Sequence, residues 1–399
     1  MADSLQGFVA CPEKQLLVSC ARTHVAAPFE GQIRGLVVEN LDWEFVLEAA
    51  TDNSVSPLLN LNVQAIAADA VPIGVVEQLK AAARANTVRC LFLAGELHRI
   101  LDLFQTAGIL AIPYKGPVLA EQAYANLTLR DFDDLDVILP QRDLAKAHEV
   151  MLSLGYHARF PEIQANHSGS AFIPGEYNYR NEKSRAVVEL HTELTLRHFP
   201  VRPNLDEFAQ RLERVTVAGK NLATFSAEDA LPVLCVHGSK DFWERILWIA
   251  DVAELIQSRT NLNWEATFRR AESLRAQRML RLGLALADKL LRCPLPEEVL
   301  KQVRSDHEAI AIAQELEKRI LSCGAVGISS PGRFRFRQRM VPGLLAGWRY
   351  SARLAVAPAE EDWNMIRLPV PLAPLYVALR PLRLLRKYGW GVGKGDTSP

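Results

Sequence analysis

The sequence predicts an α+β fold: a small mixed β-sheet embedded in a mostly helical chain. Three observations carry that expectation. Apolar residues recur at the three- and four-residue spacing of helices over long stretches on both sides of the middle. Short β-rich runs cluster between about Ile109 and Phe225. Within that cluster, "EYNYR" and "RAVVELHTEL" are joined by the polar "NEKS", and "RVTVAGKNLATFS" carries Ala-Gly-Lys-Asn at its centre, so each reads as an antiparallel pair.

Taken in order, "LDWEFVLEAATD" and "IGVVEQLKAAARANTVRCLFLAGELHRILDLFQTAG" read as helices, with Gly108 placed to cap the second. "ILAIPY" reads as a short strand, and Lys115-Gly116-Pro117 opens the helix "VLAEQAYANL", since proline fits a first helical turn where its missing N–H costs nothing. "LDVIL" reads as a buried strand and "AKAHEVMLSLG" as a helix ending at Gly155. From Ala227 the pattern is helical through about Cys323. The expected divisions are a helical region over 1–108, the α+β core over 109–225, a second helical domain over 226–323 and a basic, Pro- and aromatic-rich tail over 324–399.

Composition excludes several classes. Of 399 residues, 49% are hydrophobic and 23% charged, an ordinary globular balance rather than that of a disordered chain. Lysine plus arginine equals aspartate plus glutamate at 46 each, so no global charge draws the protein to nucleic acid. The tail departs from this: Pro331 to Pro399 holds twelve basic and four acidic residues, including "GRFRFRQRM" and the amphipathic "LYVALRPLRLLRKYGWG". It offers a surface for peripheral membrane or partner contact, or else a helix packed on the body; Pro374 and Pro381 interrupt it. Six scattered cysteines with no paired spacing argue against a disulfide framework or zinc site. With no basic-then-apolar leader and no membrane-length apolar run, a cytoplasmic protein is expected.

The chemistry concentrates in "LRDFDDLDVILP", where four aspartates run into a strand. Residues two apart in a strand share a face, so Asp134 and Asp136 point together, with Leu135, Val137 and Leu139 toward the core. Two carboxylates held side by side need water or a cation between them, and hard oxygen ligands suit Mg²⁺. Asp131 and Asp133 are also two apart, but they lie outside the apolar run and read as turn residues or partners of a helix end. Glu189 sits inside an apolar strand, where its charge needs a partner or a metal, and His191 shares its face. Glu193 and His198 lie past that run, in a solvated loop or helix start. Lys115 and Gly116, between strand and helix, either cradle a phosphate or form an ordinary turn. Arg130 either clamps a phosphate or pairs with Asp131 or Asp133. In "PVLCVHGSKDFWERILWIADVAEL", helical spacing puts His237, Lys240 or Asp241, Glu244, Trp248 and Asp251 on one side. That side is either a wall of the substrate cleft, with His237 and Lys240 near a nucleotide, or one face of an amphipathic helix. Trp243 and Trp248 read as core.

With these residues in view, the chain resembles the polymerase-beta-type nucleotidyltransferase superfamily. More narrowly, it resembles a poorly characterised bacterial group often encoded beside polysaccharide or peptide-modification genes. The resemblance rests on "GILAIPYKGPVLAEQAYANLTLRDFDDLDVILP", "VELHTEL", "LPVLCVHGSKDFWERILWIADVAELI" and "LPVPLAPLYVALRPLRLLRKYGWG", in that order from about Leu41 to Trp390. It implies that Asp134 and Asp136 are the metal-binding pair and Glu189 the third carboxylate. Gly116 stands at the start of the phosphate-binding helix, but the superfamily's following serine is Pro117 here. Anchoring would then fall to Lys115, backbone N–H groups or Arg130. The implied reaction is transfer of a nucleoside monophosphate, AMP, from ATP or another NTP to a hydroxyl with two Mg²⁺ ions. The alternative is a non-catalytic nucleotide-binding descendant with a regulatory or scaffolding role.

Overall fold

The computed structural model describes residues 10–159, 175–195, 201, 203–324 and 327–341, and parts of the chain from 343 to 388. His198 and the tail's Pro374 and Trp390, singled out above, lie outside the described residues.

The helices before the sheet are α1 (Pro12–Cys20), α2 (Ala27–Val37), α3 (Trp43–Asp52), α4 (Ser56–Ile66) and the 34-residue α5 (Ile73–Thr106). There follow β1 (Ile112–Pro113), α6 (Gly116–Tyr124), β2 (Asp134–Ile138), α7 (Leu144–Ser153), β3 (Tyr156–Ala158), β4 (Glu176–Asn181) and β5 (Val187–His191). After the short α8 (Leu205–Ala209) comes the hairpin β6 (Glu213–Val217) and β7 (Lys220–Thr224). Its turn residues Ala218 and Gly219 both have positive φ, as a two-residue hairpin requires. The second helical part holds α9 (Ala227–Lys240), α10 (Ile246–Gln257), α11 (Trp264–Ser273), α12 (Gln277–Leu291), α13 (Glu297–Arg304) and α14 (His307–Ile320). In the tail, α15 (Ser330–Met340) and α16 (Tyr376–Tyr388) are helical. The α+β expectation holds.

The five-stranded sheet has the order β1-β2-β5-β4-β3 and is mixed: β2 and β5 run parallel, and every other neighbour is antiparallel. One face is apolar. Leu135 and Val137 of β2, Val188 and Leu190 of β5, and Tyr177 and Tyr179 of β4 are all buried there. They pack with Cys90, Leu93, Ala94, Leu97, Ile100 and Phe104 of α5, whose three- and four-residue spacing makes one stripe. The first turns of α5 instead join a second core with α1–α4 and α9–α14. One long helix therefore contributes to both cores, and Ile112 of β1 and Ile138 of β2 also join the second.

Two expectations need correction. The run from Pro232 to Leu255 is not one helix: α9 stops at Lys240, and Phe242 and Trp243 both take positive φ before α10 begins. The cause is packing. Trp243 is fully buried, and its ring lies so close to α9 that a Cβ on Gly238 would stand 2.6 Å from it. The chain must reverse sharply to bring that ring back under its own helix. Second, Cys11 and Cys323, 312 positions apart, form a disulfide; Cys20, Cys90, Cys235 and Cys293 are free and buried. Spacing along the chain could not reveal a pair joined only by the fold, where the Cys11 N–H also donates to the Leu321 carbonyl at 2.8 Å.

Helix α15 of the tail packs on the body. Arg333 and Arg337 of α15 lie over the Phe242 ring, 5.1 and 4.8 Å from its centre, and Arg333 and Arg319 both reach Glu244. Among the described residues, no helix is long and apolar enough to cross a membrane.

Candidate active site

The polar face of the sheet carries the acidic residues. The β2–β5 register sets Asp136 beside Glu189 and Ile138 beside His191, while β4–β5 sets Glu176 beside His191. Because alternate residues share a face, Asp134, Asp136, Glu189, His191 and Glu176 all stand on the side opposite the α5 core. Glu189, on the neighbouring parallel strand, thus stands beside Asp136 on the face that also carries Asp134.

The tightest grouping is Asp136, Glu189 and His191, whose ligand atoms all lie within 4.8 Å of one another. His191 Nε2 is 3.1 Å from Asp136 Oδ1 and 3.5 Å from Glu189 Oε2. Lys115 Nζ approaches the same Asp136 oxygen at 2.6 Å. Asp136 and His191 are buried, whereas Asp134 and Glu189 are half-buried and reach toward solvent.

Helix α6 aims Lys115 here. The lysine is the residue before the first helical turn, and Gly116 follows with φ +53°, a conformation L side chains rarely adopt. A Cβ at Gly116 would also stand 3.2 Å from the Asp134 carbonyl oxygen. Glycine thus lets the start of α6 press directly against the start of β2, so the helix N-terminus and the carboxylates are neighbours.

The electrostatics follow from burial and charge pairing. Burial alone would raise the Asp136 carboxyl, but Lys115 and the His191 hydrogen bond outweigh it and hold the group well below the usual range. Asp134 goes the other way, pushed up to about 7 by burial and then by the neighbouring Asp136 charge. His191 is raised to about 9: burial opposes its charge, and its bonds to Asp136 and Glu189 prevail. Lys240, at the end of α9, meets Glu176 at 2.9 Å. Burial opposes that charge too, but Lys240 brings the Glu176 carboxyl to about 2. His237 is kept neutral by burial and by Lys115 and Lys240, with its ring edge-on to Trp248 at 5.2 Å and Nδ1 3.3 Å from Asp241.

Several expected residues are placed elsewhere. Arg130 does not pair with Asp131 or Asp133: its Nε and Nη2 donate to Asp251 at 2.8 and 2.9 Å, and the Tyr124 hydroxyl donates to the same carboxylate at 2.8 Å. That buried clamp ties the end of α6 to α10 and occupies the side of Arg130 that would grip a phosphate. Asp131 is bound by Arg89 of α5, which also donates to the Phe132 carbonyl at 3.1 Å, and Asp133 is exposed. Glu193 lies in the bend after β5. With α9 and α10 broken apart, Glu244 faces the tail and Asp251 the Arg130 clamp, so the supposed single stripe does not exist. The residue sequence reading missed is Glu176. Its strand was recognised, but only the β4–β5 register shows that its first residue meets His191 and Lys240.

The donor set fits a divalent cation. Asp136 and Glu189 supply hard oxygens and His191 a nitrogen, and Asp134 stands one step along the same face. A phosphate group would find Lys115, the helix N-terminus and Lys240 nearby. No curated protein matches the chain. A family model described as an uncharacterised nucleotidyltransferase matches residues 39–292, which span α3 to the end of α12 and hold every site residue named here. The chain is a member of that uncharacterised nucleotidyltransferase family.

Proposed function

We propose that the protein transfers AMP from ATP to a hydroxyl of a sugar, peptide or other small acceptor, releasing pyrophosphate. The observation that carries this reading is the convergence of Asp136, Glu189 and His191 within 4.8 Å beside the Lys115–Gly116 turn, in a chain of this family. The acceptor oxygen forms a bond to the α-phosphorus, and the bond from that phosphorus to the bridging oxygen breaks, with pyrophosphate taking the electron pair. Two Mg²⁺ ions bound by Asp134, Asp136 and Glu189 would neutralise phosphate charge and acidify the acceptor hydroxyl.

The chain's own groups do the positioning. Lys115 and the first backbone N–H groups of α6 hold phosphate oxygens, helped by the positive end of the helix; Pro117 contributes no N–H and no hydroxyl. Half-buried Glu189 accepts the acceptor's proton. Lys240 and His237, at the last turn of α9, flank the nucleotide. Arg130, fixed by Asp251, steadies α6 rather than touching phosphate.

One observation favours a second reading, a nucleotide-binding protein without catalysis. Lys115 and His191 already neutralise Asp136 from within the protein. The test is incubation with α-phosphate-labelled ATP, GTP, CTP and UTP and Mg²⁺, comparing wild type with Asp134→Ala/Asp136→Ala. Metal-dependent binding with label transfer to an acceptor, lost in the variant, is expected. Binding without transfer favours the second reading, and absence of metal-dependent binding defeats both.

A further inference from the structure

The third donor of the acidic cluster is a nitrogen, and it is placed by the fold. His191 is two residues after Glu189 on β5, so both side chains stand on one face, and the register carries His191 one step past Asp136. The imidazole is buried, its Nε2 3.1 Å from Asp136 Oδ1 and 3.5 Å from Glu189 Oε2. Asp134, the expected partner of Asp136, is outside this closest group of three. Lys115 meanwhile supplies a fixed positive charge to Asp136 from the α6 side.

Metal chemistry gives this arrangement a consequence. Mg²⁺ takes oxygen ligands in near-ideal octahedral geometry and parts reluctantly with its water. Imidazole is a ligand of transition metals, whose affinity for mixed nitrogen and oxygen sites rises from Mn²⁺ onward. We infer that His191, Asp136 and Glu189 form a mixed nitrogen–oxygen centre in which His191 selects Mn²⁺ over Mg²⁺. The inference rests on the nucleotidyltransferase reading and adds a metal preference to it. The residue that sets the preference is His191, since the two carboxylates serve either ion.

The experiment uses the full chain with Mn²⁺ and a non-hydrolysable ATP analogue. Pulsed electron paramagnetic resonance on protein labelled with ¹⁵N-histidine reads whether a histidine nitrogen is bound to the manganese. A ¹⁵N coupling is expected in wild type, retained in His237→Gln and lost in His191→Gln. In competition titrations, the Mg²⁺ concentration that displaces half the Mn²⁺ should fall about tenfold or more in His191→Gln, since losing even an outer partner of a ligand costs that much. If the variant does not fold, the wild-type spectrum still decides. Manganese bound with no histidine coupling, or coupling that survives in His191→Gln, overturns the inference and leaves the nucleotidyltransferase reading standing. Failure of wild type to bind either metal with nucleotide overturns both.

Discussion

Arg130 is the residue whose role changed most between sequence and structure, and its replacement discriminates between the two. In Arg130→Met the Asp251 carboxylate, 1% exposed, loses both guanidinium hydrogen bonds and keeps only the one from Tyr124. Removing one partner of a buried pair costs about 3–5 kcal/mol, because the remaining charge stays desolvated and unpaired. The surviving Tyr124 bond places Arg130→Met near the lower end. Asp251→Leu strands both Arg130, 6% exposed, and the Tyr124 hydroxyl, and belongs near the upper end. The double variant leaves no buried charge, so it should be more stable than Asp251→Leu alone, with a coupling of at least about 2 kcal/mol. Urea denaturation followed by tryptophan fluorescence and by circular dichroism measures all four proteins. A loss below about 1 kcal/mol in Arg130→Met, the range of an exposed pair, would refute the clamp. Weakened ATP binding with unchanged stability would restore Arg130 to the phosphate.

Gly116→Ala should cost roughly 1–2 kcal/mol for its left-handed backbone, as should Gly108→Ala at φ +67° with open space around it. Only Gly116 faces the Asp134 carbonyl, so it should cost measurably more in denaturation; equal losses would discredit the close approach of α6 to β2. Lys240→Met should destabilise more at pH 6 than at pH 3. The Glu176 carboxyl sits at about 2 when folded, below its ordinary 4.5, so the pair's contribution is full above about pH 4.5 and fades as pH falls toward 2. A pH-independent difference in urea midpoints between the two proteins would contradict that pairing.

Much of this site could be read without coordinates because its signals are local. A strand's two-residue period put Asp134 and Asp136 on one face, and the same period linked Glu189 to His191. Lys115-Gly116-Pro117 announced a helix start for a chemical reason that holds in any fold. What escaped was set by distant chain. Arg130 finds Asp251 from 121 positions away, and Glu176 reaches its place only because β4 pairs with β5. Helices α1, α2 and α4 are short, and their stability comes from packing on one another, with α4 also on α5 and α1 on α12, rather than from their own periodicity. The break after Lys240 likewise reflects the burial of Trp243, which no helix propensity foretells.

The bond between Cys11 and Cys323 turns the body into a covalent ring. Everything from α1 to α14, the sheet and its carboxylates included, lies on the closed circuit, while α15 and α16 hang outside it as a pendant. A single cut by protease anywhere inside the circuit leaves both pieces covalently joined until a reductant is added, whereas a cut beyond Cys323 leaves α15 and α16 held to the body by non-covalent contacts alone.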